Sequence, residues 1–193
     1  MKRIYSAVQA SPRKAFGLVA TLVLATAVVM GSGAAFNATS ANPGNTFTAG
    51  NLSHSNSKAG AAILTAAGLE PGESTTGTVD ITNTGDGSGA FTLGSSNLTD
   101  TPASPAFSGK LDLTIVDCGT PAGGCANPTG VYSGKLNALS TQSLGTFASG
   151  AAHRYRFTVS FPDGGTPSGP SSGDNAYQDA STSVEFDWES VSS

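Results

Sequence analysis

The sequence predicts an all-β protein whose two antiparallel sheets pack as a sandwich, jelly-roll or immunoglobulin-like. Three observations predict it. Several stretches alternate apolar and polar residues with period two, the mark of strands with one buried face. Turn formers separate them, with 25 Gly and 10 Pro in 193 residues. No segment carries a convincing helical period, and at 11% charged residues the chain is too poor in charge for a long solvated helix or a coiled coil.

The first element is an address. Lys2, Arg3, Arg13 and Lys14 precede an uncharged run containing Leu18, Val19, Leu22, Val23, Leu24, Val28 and Val29, and Gly31-Ser32-Gly33-Ala34-Ala35 follows. A basic start, an apolar middle and small residues before a break describe a secretory signal peptide over 1–34. Ser32 and Ala34 occupy the small-residue positions, so cleavage is expected between Ala34 and Ala35. Left uncleaved, the segment would be the chain's membrane contact.

Residues 35–193 are then expected to be secreted, extracellular or at the cell surface, as one sandwich domain with a mobile N-terminal segment over 35–50. That chain has five basic residues (Lys58, Lys110, Lys135, Arg154, Arg156) against thirteen acids, a net charge of −8. Such a balance disfavours anionic partners, nucleic acid first. A chain of this length buries about 68–70% of its unfolded surface, enough for a real core.

The strands follow in order. Segments 45–53, 61–65, 75–82 and 89–94 read as short strands. In 110–117, Leu111, Leu113 and Ile115 share a face. Segments 131–139 and 144–147 come next. In 153–161, Tyr155, Phe157, Val159 and Phe161 alternate with Arg154, Arg156, Thr158 and Ser160. In 182–189, Val184, Phe186 and Trp188 alternate with Glu185, Asp187 and Glu189. These two rows are the candidate core strands. Pro71-Gly72, Gly85-Asp86-Gly87, Pro162-Asp-Gly-Gly165 and the Gly/Ser/Pro run 164–173 supply turns. Residues 58–68 are the only helix-tolerant piece, and glycines border or interrupt it.

Cys118 and Cys125 are the two cysteines, with six residues between them in a Gly/Pro-rich stretch. In an exported protein such a pair reads as a disulfide closing a short loop.

Candidate chemistry is sparse. His54 and His153 have no His-Glu-x-x-His pattern around them and no serine sits in a Gly-x-Ser-x-Gly elbow, so no catalytic residue and no metal ligand is assigned. Asp187 and Glu189 share the wet face of one strand, where acids are expected in any case. Loop acids Asp86, Asp163 and Asp174 leave calcium open without the spacing of an EF-hand. No other cofactor is expected.

Four pieces of the sequence, in order, carry a resemblance. They are the signal segment running into Ala35-Phe36-Asn37 and on to Thr46-Phe-Thr-Ala-Gly-Asn-Leu-Ser53; Leu69-Glu-Pro-Gly-Glu73 leading into Val79-Asp-Ile-Thr-Asn-Thr-Gly85; the 155–161 strand; and Asp174-Asn-Ala-Tyr-Gln178 ahead of the strand through Phe186. Together they resemble the TasA/camelysin family of secreted proteins, whose signal peptide is cut by a dedicated signal peptidase. The resemblance implies a jelly-roll-like sandwich and a structural role in extracellular biofilm-matrix fibres, built by self-association or with a sister subunit. It also implies that a freed N-terminal segment acts as a donor strand for the next subunit. Some members carry a metallopeptidase label, for which this chain shows no recognisable zinc motif.

The residues themselves allow the donor-strand mechanism. Segment 36–50 is uncharged and rich in Asn and Thr, with Phe36 and Phe47 in it and Leu52 just beyond it as candidate anchors, and such a segment can add to a sheet edge. It can equally fold back on its own sheet. Two other readings stay open beside the fibre subunit: a secreted camelysin-type peptidase, and a monomeric surface-binding or fibre-accessory module.

Overall fold

The structure is a computed structural model and describes residues 49–192. The expected signal peptide, its cleavage site at Ala34 and Ala35, and Phe36 and Phe47 all lie outside the described residues. Eight strands follow one another: β1 (His54–Asn56), β2 (Ser74–Asn83), β3 (Gly89–Thr101), β4 (Asp112–Asp117), β5 (Thr129–Lys135), β6 (Gln142–Phe147), β7 (Ala152–Ser160) and β8 (Ser181–Ser192). They form two antiparallel sheets, ordered β1-β2-β7-β4-β5 and β6-β3-β8. The expected all-β sandwich is what the chain forms.

The core sits between the sheets and is centred on β7. Tyr155, Phe157, Val159 and Phe161 are buried, as the alternation requires. Val79 and Ile81 from β2, Phe91 and Leu93 from β3, Leu111, Leu113 and Ile115 from the β4 stretch, and Phe147 complete it. The opposite faces of β2, β7 and β4 carry Thr, Ser, Asp and Arg, with Arg154 forking onto both Asp80 oxygens at 2.7 and 2.8 Å.

Three expected strands differ. Residues 49–53 are not a strand, because they fold onto the β2–β3 turn: the Asn51 carbonyl accepts from the Asp86 N–H at 2.8 Å, and pairing with β2 begins only at His54. Residues 61–65 have no ladder partner and are irregular. The stretch 131–139 starts earlier, at Thr129, and leaves the sheet at Lys135 for a short 3-10 turn over Leu136–Ala138 that buries Leu136 across the end of the core. The helix-tolerant piece 58–68 forms no helix.

Asn83 closes the β2–β3 turn. It is fully buried, donates to the carbonyls of Gly87 and Phe147, and accepts from the Gly85 N–H. Cys118 and Cys125 are joined, with Cα atoms 4.4 Å apart, and close the β4–β5 loop as expected.

Candidate functional site

β8 is twelve residues long and, among the described residues, pairs on one side only, with β3. The other three sheet edges are the three-residue β1 and the six- and seven-residue β6 and β5. Register shifts interrupt the pairing of β6 with β3, of β5 with β4 and of β8 with β3, so length alone sets β8 apart. β8 therefore offers the longest row of unpaired backbone groups, and such a row is a template for an added strand.

The inner side chains of β8 also lack a full covering. Phe186 packs on Phe157 at 4.7 Å between ring centroids and Trp188 on Tyr155 at 5.1 Å. Yet Val184, Phe186 and Trp188 are only half-buried, where the matching β7 row is buried. The reason is geometric: nothing described continues the smaller sheet beyond β8. A cleft of about 830 Å³ opens there, between the first half of β8 and the segment 62–71, with Leu111, Val159 and Phe161 in its floor.

The far end of the cleft is walled by a 3-10 turn, Gly173–Tyr177, in the loop between β7 and β8. Tyr177 meets Phe107 at 5.9 Å and Phe161 at 6.2 Å. Lys110 holds the loop in place: its ammonium lies 2.7 Å from Asp174, whose side chain is 7% exposed. The Gly164 N–H donates to the same carboxylate at 2.6 Å. The Lys110 hydrogen bond, backed by Gly164, holds the Asp174 carboxyl below its ordinary value. A side chain at Gly164 would strike the pair, its Cβ falling 2.6 Å from Asp174 Oδ1. At the neighbouring turn, burial pushes the Asp100 carboxyl up, but hydrogen bonds from the Ser108 hydroxyl and N–H outweigh it and leave it lowered.

The remaining expected site residues are scattered. Leu52 lies against Gly89 of its own chain. His54 meets Ser190 Oγ at 3.1 Å and the edge of Phe91. His153 meets Asp117 at 2.8 Å and stacks on Phe147. Of the loop acids weighed for calcium, Asp163 and Asp174 share the β7–β8 loop while Asp86 lies past the opposite end of β2. No group of three His, Cys, Asp or Glu side chains among the described residues is placed to hold a metal ion. No helix among them is long and apolar enough to cross a membrane.

The cleft itself was not foreseen, although a signal for it existed. Gly77 interrupts an otherwise good strand, and a glycine there often marks the close approach of another backbone. The class that fold and site define is a β-sandwich with one long open edge beside an apolar cleft. No protein-family model and no curated protein matches the chain.

Proposed function

We propose that this protein is an exported structural subunit that assembles into extracellular fibres, alone or with a sister subunit, by strand addition at the open edge of β8. The observation that carries this reading is β8 itself, long, paired on one side among the described residues, with half-buried Val184 and Phe186 bordering the cleft. An uncharged segment such as 36–50 can supply main-chain hydrogen bonds to that edge and an apolar side chain to the cleft. A copy that donates at one end and accepts at another repeats without closing, which makes a filament.

The test compares residues 35–193 with the same protein lacking 36–44, by electron microscopy and sizing chromatography over a range of concentrations. Filaments that depend on 36–44 are the expected result. Equal assembly without that segment removes the donor-strand mechanism. Monomers at every concentration move the weight to a surface-binding or accessory role.

A further inference from the structure

We propose that residues 61–67 are a resident plug of the β8 cleft, held in the free subunit and displaced when a strand enters. The inference rests on the strand-acceptor reading above and adds a built-in gate to it.

Four observations place the plug. Its backbone lies on the inner face of β2 at Gly77, where an added Cβ would strike the Ile63 carbonyl oxygen and fall 2.8 Å from Leu64 Cβ. Phe186 of β8 packs over Phe157 of β7, which pairs with Gly77 of β2, and β8 lies toward the β1-β2 side of that sheet, where His54 meets Ser190, so a strand added to β8 would lie over the same part of β2. The plug thus stands where the incoming strand must go. Second, it is weakly held. Residues 62–69 make no backbone–backbone hydrogen bond among the described residues, and the Thr65 carbonyl accepts only a 3.5 Å bond from the Thr75 hydroxyl. Third, its anchors are few: Ile63 and Leu64 are half-buried, while Thr65, Ala66 and Ala67 are exposed. Fourth, both ends can swing. Gly60 and Gly68 have φ of +70° and +66°, a left-handed conformation natural to glycine, with open space around each.

A strand that replaces the plug gives β8 the ladder the plug does not make. The plug leaves only two half-buried side chains behind, so exchange favours the strand. Segments with few buried contacts and few backbone bonds are those that open locally in native proteins.

The experiment uses the protein over 35–193 with substitutions Gly77→Ala and, separately, Ile63→Ser. The first pushes the plug off a strand that is held by ladders; the second removes an anchor without touching β2. The probe is a labelled synthetic peptide of residues 36–50, with affinity read by anisotropy and plug opening by the rate of elastase cleavage within 61–67. The expected result is faster cleavage within 61–67 and at least about tenfold tighter peptide binding in both variants, since apparent affinity is the intrinsic affinity multiplied by the open fraction. Equal or weaker binding in variants whose plug has opened overturns the gate and leaves the fibre reading standing. No peptide binding by any of the three proteins overturns both.

Discussion

Two buried polar side chains show how much single residues do here. Asn83 supplies the turn after β2 with three hydrogen bonds from full burial. Asp174 ties the β7–β8 loop to Lys110 and to the Gly164 N–H, and so fixes the end wall of the cleft. Its carboxyl titrates lower in the folded protein than the ordinary value of 3.8. The charged form is therefore the one the fold favours. Its contribution is complete above the unfolded value and is lost as pH falls through the folded one. Asp174→Asn keeps the shape and removes the charge. The stability gap between wild type and this variant, from urea unfolding, should stay level from about pH 7 to 5 and shrink below about pH 4. A gap that keeps its size into strong acid would mean that the charge contributes nothing. Asp80 carries the same sign, lowered by the hydrogen bond from Arg154, so acid weakens the outer face of β2 and β7 as well.

At the scale of elements, strands with one dry face were legible. The β4 stretch, β7 and β8 announce themselves because each alternates strictly, and their apolar rows point where the pattern requires. What fails is the treatment of edges. Residues 61–65 look like a strand by composition, but a strand exists only where a neighbour offers hydrogen bonds, and β2 beside them pairs with β7 and the short β1. No local pattern reveals which strand lacks a neighbour. The open edge of β8 belongs to the topology, and only Gly77 hinted at the backbone lying across β2. The disulfide was legible from spacing and composition. Its loop is short, so replacing Cys118 and Cys125 by Ala should cost about 2–3 kcal/mol at most. Equilibrium unfolding of the double variant checks this, and loss of the fold would show that the bridge carries more than loop closure.

For the whole molecule, charge would oppose the fibre assembly proposed above. The chain beyond residue 34 carries −8, and copies approaching to pair must overcome that repulsion. Raising ionic strength from about 0.01 to 0.15 M shortens the screening length from about 30 to about 8 Å. On the proposed fibre reading, the lag before filament growth, followed by light scattering, should shorten accordingly. A lag that is unchanged or longer would show that net charge does not limit assembly.

The acids along β8 bear on this in a second way. Glu185, Asp187 and Glu189 lie in line along the strand, opposite Ser96, Gly94 and Thr92 of β3. Two copies that met β8 to β8, related by a two-fold axis, would set one such row against the other, and like charges facing across a ladder repel. That pairing would also consume both edges and end growth as a sealed dimer. On the proposed strand addition, the row would act as a selector. In the proposed fibre it would turn away a second β8 and any acidic strand and admit an uncharged one, which disfavours the two-fold pair and favours head-to-tail succession.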